Sequence, residues 1–300
     1  MTIAITGAFS YSGKYITRRL LERGQEVITL TGHPERPDPF EGRVKVRPLD
    51  FQDQTKLLDS LRGVDTFFNT YWVRFDRGRN TQPAAVENTR RLVQAAAEAG
   101  VRRIVHISIT NPSADSPLPY FSGKAANEQS VVTSGMSYAI LRPTVLFGRE
   151  DILINNIAWL LRRFPFFALP GDGRYCLQPA YVDDLAALAI EAADRPENLV
   201  WDVVGPENLS FREMVEMIGT KIGHPRPLVP VDPRLALAAA RLISIFVGDV
   251  VLTREEVQGL MQNLLVSQEP PRGTTRLSDW LRANRDQVGR EYASELKRHF

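Results

Sequence analysis

Short, dense apolar runs alternate with stretches of helical periodicity through the first half of the chain. Residues 2–6, "TIAIT", read as a buried strand, and residues 13–23 carry helically spaced apolar positions that stop at Gly24. The same alternation predicts strands at 26–30, 44–50, 65–70, 103–109 and 137–143, and helices at 53–61, 84–100 and 121–134. The strand runs place Ile and Val at consecutive positions, as a parallel sheet covered by helices on both faces requires. The expected fold class is therefore α/β, a doubly wound parallel sheet. After residue 147 the rhythm changes. Helical patterns at 182–193 and after Ser210, a strand at 201–206 and a mostly helical stretch over 232–300 predict a smaller, mostly helical C-terminal lobe. Ser210 followed by Glu213 is a capping pattern. The expected division is a sheet domain over 1–147, with sheet elements returning near 175–206, and an interleaved lobe over 148–300.

Composition narrows the partners. With 300 residues the chain can bury a sizeable core. A net charge of +2 is too small to argue for nucleic acid, and none is expected. Cys176 is the single cysteine, so no internal disulfide and no cysteine-built metal cluster can form. His33, His106, His224 and His299 show no clustered ligand spacing, and Asp183 and Asp184 read as a helix-start device, so no metal is expected. No basic stretch precedes the first apolar run. The nearest candidate for a membrane span, "LALAAARLISIFVGDVVL", contains Arg241 and Asp249. These features predict a soluble, cytoplasmic protein with no transmembrane segment.

The first strand ends in "TGAFSYSG". A strand, a glycine turn and a helix start together make an anion site, because backbone N–H groups converge there and the helix dipole favours negative charge. Gly7 permits the tight turn, Gly13 permits close approach, and Ser10 stands where a dinucleotide loop has its middle glycine. No acidic residue ends the second strand, "TLTGHPERP". Thr31, His33 and Arg36 would suit a 2′-phosphate, so NADP(H) is favoured over NAD(H). Asp50 is placed to approach an adenine amino group or to cap the next helix.

"PYFSGKAANEQ" places Tyr120 and Lys124 four residues apart, on one face of a helix. An ammonium beside a phenol favours the phenolate, which makes Tyr120 a usable proton donor or acceptor. Ser108, at the end of a parallel strand, would hold a substrate oxygen; Thr110 competes for that role.

These motifs together resemble the short-chain dehydrogenase/reductase superfamily, in its extended or atypical branch. Within it the chain is similar to the NAD(P)-dependent epimerase/dehydratase group and to NDUFA9-type proteins. "TGAFSYSG" matches the nucleotide loop, "VENTRRLVQAAAEAGVRRIVHIS" the helix and strand before the serine, "YFSGK" the Tyr-x-x-x-Lys pair and "LRPTVLFG" the segment passing the nicotinamide. Asn88 matches a structural asparagine. The resemblance implies a Rossmann-type sheet and a substrate-binding C-terminal lobe. It implies catalysis by Tyr120, Lys124 and Ser108, with Lys124 also gripping the ribose. It implies coenzyme contacts from Gly7, Phe9, Ser10, Tyr11, Ser12, Gly13, His33, Arg36, Asp50, Phe51, Asn69, Thr70, Tyr71, Pro143, Thr144 and Val145. Ser108 lies closer to Tyr120 than is usual in the extended branch, and atypical members often keep the fold while losing the reaction.

Two functions remain open on the sequence. One is an NAD(P)-dependent oxidoreductase or epimerase/dehydratase-like enzyme, with Tyr–Lys-assisted proton transfer on a small, partly apolar organic substrate. The other is a non-catalytic NADP(H)-binding redox sensor or interaction protein, with a homodimer or protein partner. "NTYWVRFDRGR" offers Tyr71, Trp72 and Phe75 beside Arg74, Arg77 and Arg79 as a cover for an anionic substrate. Phe164, Phe166 and Phe167 are candidates for an apolar pocket wall. "ALAAARLISIFVG" could close a pocket, form a dimer contact or lean on a membrane.

Overall fold

The computed structural model describes residues 1–296; His299 lies outside them. In chain order the elements are β1 (Thr2–Thr6), α1 (Tyr11–Glu22), β2 (Glu26–Thr31), β3 (Val44–Pro48), α2 (Gln54–Leu61), β4 (Thr66–Asn69), α3 (Gln82–Glu98), β5 (Arg103–Ile107), α4 (Pro119–Val132) and β6 (Ser137–Pro143). There follow β7 (Leu146–Phe147), α5 (Leu153–Arg163), β8 (Phe167–Pro170), β9 (Cys176–Leu177) and β10 (Ala180–Tyr181). Then come α6 (Val182–Asp194), β11 (Leu199–Val203), β12 (Leu209–Ser210), α7 (Phe211–Lys221) and β13 (Leu228–Val231). The last helices are α8 (Pro233–Val247), α9 (Arg254–Met261) and α10 (Leu277–Asn284).

The chain divides into two units. The first holds Met1–Pro143 and Asp183–Val203; the second holds Thr144–Val182 and the chain from Val204 onward. The first unit is built on a seven-stranded sheet in the order β11-β6-β5-β4-β1-β2-β3, with every pair parallel. Strand order reverses at β1 and β4, the place where doubly wound sheets open a crevice beyond their carboxyl ends. Ala4, Ile28, Phe67, Ile104 and Ile140 on the sheet pack with Leu57 and Leu61 of α2, Leu92 and Ala96 of α3 and Val131 of α4. The consecutive apolar residues noted in the sequence follow from this burial.

The returning segment is fastened by a fully buried arginine at the start of β5. The Arg103 guanidinium donates from Nε and Nη2 to the Ala192 carbonyl (3.2 and 2.8 Å) and from Nη2 to the Glu197 carbonyl (3.0 Å), and it also bonds the Ser137 hydroxyl. Burial holds its pKa below the usual arginine value.

The second unit is mostly helical in its C-terminal part, through α7–α10. Its core joins Phe147, Ile157, Leu161 and Leu169 to Phe211, Met214 and Ile218 of α7 and Leu277, Trp280 and Leu281 of α10. Helix α7 starts in a capping box. Ser210 Oγ accepts from the Glu213 amide (3.2 Å), and the Glu213 carboxylate accepts from the Ser210 amide (2.8 Å). Three two-stranded ribbons, β10-β7, β12-β9 and β13-β8, complete it.

Candidate functional site

The β1–α1 turn is shaped by two glycines. Gly7 has φ +65°, a left-handed conformation that favours glycine. Gly13 lies flush against the turn: a Cβ there would stand 2.1 Å from the Gly7 carbonyl oxygen. The Ser10 hydroxyl donates to that same carbonyl at 2.6 Å. Its proton is therefore committed to the loop. The Ser10 side chain also makes no cap to α1, so it does not occupy the first-turn amides. Gly7, Phe9, Ser10, Tyr11 and Ser12 are all half-buried, with Ala8 and Gly13 buried among them. The Phe9 ring leans on Phe40 with centroids 6.4 Å apart.

The end of β4 is tied to this turn. Thr70 donates from its amide to Thr6 Oγ1 (2.7 Å) and from its hydroxyl to the Thr6 carbonyl (2.6 Å). The buried Asn69 amide oxygen accepts from the Tyr71 N–H at 3.1 Å. Tyr71 in turn accepts from Asn88 at 3.0 Å and packs on Phe51 with ring centroids 4.8 Å apart. Burial raises the Tyr71 pKa and keeps its phenol neutral.

Beside β2 and β3 lies a cleft of about 750 Å³. Gly32, Asp50 and Phe51 line it, together with Arg79, Ala84 and Asn88. Asp50 accepts from the Gln52 amide (3.0 Å) and pairs with Lys56 (3.3 Å), which together hold its carboxyl below the usual range. The cap of α2 is Asp53 instead, which leaves Asp50 on the cleft wall. Arg79, read in the sequence as part of a substrate cover, belongs to this cleft.

At the carboxyl ends of β4 and β5, Tyr120 and Lys124 both meet a residue not assigned to catalysis, Trp72, and Lys124 reaches the carbonyl of Ile107, the residue before Ser108. The Tyr120 ring meets the Trp72 indole edge-on at 5.5 Å, and Lys124 Nζ lies 4.8 Å over the same indole. Gly123 admits the indole: a Cβ there would stand 2.8 Å from Trp72 Cη2. Lys124 is buried and donates to the Ile107 carbonyl at 2.9 Å. Burial pushes its pKa down to about 7, against a smaller opposing effect of Glu128. Glu128 itself holds Arg142 in a two-point ion pair at 2.9 and 2.6 Å.

Several buried polar atoms here have no hydrogen-bond partner: Ser108 Oγ, His106 Nε2, Trp72 Nε1 and both amide ends of Asn127. His106 Nδ1 lies 3.1 Å from the Asn69 amide nitrogen, which must donate because Asn69 Oδ1 already accepts. The imidazole proton therefore sits on Nε2. Burial, and then Lys124, drive the His106 pKa down to about 3, so the ring is neutral. Thr110, the competitor of Ser108, is spoken for: its hydroxyl donates to the Arg142 carbonyl at 2.9 Å.

The remaining candidates separate. Pro143 ends β6, and its carbonyl accepts from the Thr110 amide at 3.0 Å. Thr144 and Val145 open the second unit, where the Thr144 hydroxyl donates to the Gln178 carbonyl. Asp183 is a structural anion, held by Arg19 in two 2.8 Å bonds. Phe167 is buried in the second unit's core, whereas Phe164 and Phe166 are 39% and 53% exposed. Those two rings therefore form no enclosed pocket wall.

Residues 7–154 match the NAD(P)H-binding family model. The chain is 30% identical over 239 residues to an uncharacterized protein of Mycobacterium tuberculosis, a match covering 77% of this chain and 24% of that one. It is 27% identical over 255 residues to the mitochondrial NADH dehydrogenase [ubiquinone] 1 alpha subcomplex subunit 9 of Arabidopsis thaliana, covering 79% of this chain and 62% of that one. The chain thus spans less than two thirds of the length of either relative. Among solved structures, MoeE5 in complex with UDP-glucose and NAD superposes with a TM-score of 0.72 at 21% identity, over 97% of this chain and 99% of that one. The chain has the NAD(P)-binding fold of the extended short-chain dehydrogenases and epimerase/dehydratases, and it is related to the subunit 9 proteins.

The expected preference for NADP(H) does not hold. MoeE5, which shares this fold over nearly its whole length, is complexed with NAD. The supposed phosphate site also carries the wrong neighbour, since His33 Nδ1 lies 3.4 Å from the Glu35 carboxylate. An anion at that turn would meet an anion.

Proposed function

We propose that the protein is an NAD-dependent oxidoreductase or epimerase-like enzyme acting on a small, partly apolar organic substrate. The observation that supports this reading is that the β1–α1 glycine turn and Ser108 follow the carboxyl ends of parallel strands of one sheet, with Lys124 bonded to the Ile107 carbonyl and Tyr120 four residues before it on α4. The residues present fit the coenzyme. Gly7 and Gly13 clear the turn for a diphosphate at the start of α1, and the cleft at Gly32, Asp50 and Phe51 has walls suited to an adenosine. Ser108 Oγ is a buried, unpartnered hydroxyl at the reacting end.

When bound, the nicotinamide supplies or accepts the hydride. Ser108 donates to the substrate oxygen and fixes its direction. Tyr120 delivers a proton to that oxygen as a carbonyl is reduced, or removes it as an alcohol is oxidised. Lys124 binds the nicotinamide ribose and sets the electrostatic field at Tyr120. Trp72 keeps water from Lys124.

The test is titration of NAD and NADH into the protein, followed by assay with a panel of carbonyl and alcohol substrates. Tyr120→Phe should lower turnover about a hundredfold or more while leaving NAD affinity within about twofold. Unchanged turnover in that variant would remove Tyr120 from the chemistry. A second reading, a non-catalytic NAD-binding protein, draws on one observation. Trp72 touches both members of the pair, and the lysine between indole and carbonyl carries a weakened charge. Tight NAD binding with no turnover by the parent on any substrate would decide for it.

A further inference from the structure

Helix α8 exposes its apolar face. Leu235, Leu242, Ile245 and Phe246 are 64%, 62%, 78% and 90% exposed, while the opposite side buries only Ala236 and Ala240. At helical spacing the four large residues, with Ala238 and Ala239, fill one continuous arc of roughly 120°. Arg234 and Arg241 are exposed along one border of that arc. The helix carries no acidic side chain. Asp232 caps its start by accepting from the Arg234 amide, and Asp249, just beyond its end, is buried.

We propose that α8 is an interfacial anchor that lays the second unit on a membrane surface bearing anionic phospholipids. An apolar arc with arginines at its edge is the chemistry of a helix lying in a headgroup layer: the rings and branched chains enter the acyl boundary and the guanidinium groups meet phosphates. At 15 residues the helix is about 22 Å long, too short to cross a hydrocarbon core of about 30 Å. Among the described residues no helix is long and apolar enough to cross a membrane. A second copy of the chain is the weaker occupant. The four side chains present on the order of 500 Å², below the roughly 800 Å² per partner that a stable dimer buries. Two such faces packed antiparallel would also bring Arg241 near its own copy. An anionic surface turns the same charge into attraction.

The experiment is co-sedimentation of the full chain at 0.1 M salt with vesicles of phosphatidylcholine alone and of phosphatidylcholine with 30% phosphatidylglycerol. The parent should sediment with the anionic vesicles and far less with the neutral ones. Arg234→Gln and Arg241→Gln should each lower the partition coefficient about fivefold. The double variant Ile245→Ser/Phe246→Ser should lower it more than tenfold without changing NAD affinity. Since a serine variant can misfold, Phe246→Trp gives an independent reading. Its emission, taken as a difference from the parent, should shift to the blue only with anionic vesicles. Absence of sedimentation, equal sedimentation of parent and double variant, or a parent dimer that the double variant splits into monomers would each overturn the proposal. The last result would make α8 a subunit contact.

Discussion

Lys124 offers a direct test of the physical account, because its burial has a sign and a size. A pKa lowered from 10.5 to about 7 corresponds to roughly 5 kcal/mol of penalty against the ammonium in the folded state. The side chain is 3% exposed, so solvent screens little of it. Replacing it by methionine, of similar shape, removes that penalty. The same change removes the bond to the Ile107 carbonyl and the contact with the Trp72 ring, together about 2–3 kcal/mol. Lys124→Met should therefore be more stable than the parent by about 2 kcal/mol at pH 6, where the lysine is protonated in both folded and unfolded chains. As pH rises through 7 the folded protein releases the proton, while the unfolded chain keeps it until about 10.5. The unfolded state then binds more protons, so parental stability climbs with pH. By pH 9 the parent should have regained about 2.7 kcal/mol relative to the variant, enough to cancel or reverse the difference. His106 stays neutral across this range and does not obscure the comparison. Urea denaturation of both proteins at pH 6 and pH 9 measures the two gaps. If they agree within about 0.5 kcal/mol, Lys124 is not a desolvated ammonium and the account of the site is wrong.

Two further substitutions probe the frame around the site. Gly13→Ala puts a methyl 2.1 Å from the Gly7 carbonyl oxygen, which must move. It should cost about 2–4 kcal/mol of stability and weaken NAD binding at least about tenfold, read by thermal unfolding and calorimetric titration. Arg103→Met leaves the Ala192 and Glu197 carbonyls without their buried donor. It should destabilise the first unit by about 2–4 kcal/mol and speed amide hydrogen exchange at Leu199–Val203 before the rest of the sheet.

The first-half alternation was legible because β1, β2, β4 and β5 of the central sheet are buried along nearly their whole length, so their apolar runs have no competing explanation. The ribbon strands β7, β9, β10 and β12 were not, since two residues carry no period. Gly7, Gly13, Tyr120 and Lys124 could be picked out from spacing alone. The commitment of the Ser10 hydroxyl to Gly7 could not, because it depends on a rotamer. Trp72 was visible as an aromatic in a loop, but its docking over Gly123 joins residues fifty-one positions apart, and no local pattern encodes that. The cofactor preference failed for a related reason. His33 and Arg36 were weighed as charges in a string, whereas the His33 ring lies beside the Glu35 carboxylate.

The path of the chain restricts how this protein can be dissected. A product ending at Pro143 would lose β11, leaving β6 as a bare edge strand with open amides and carbonyls, a template for self-association. It would also strand the Arg103 cation without its clasp. A soluble nucleotide-binding fragment must instead splice Pro143 to Asp183 and stop after Val203, so that the sheet keeps its outermost member.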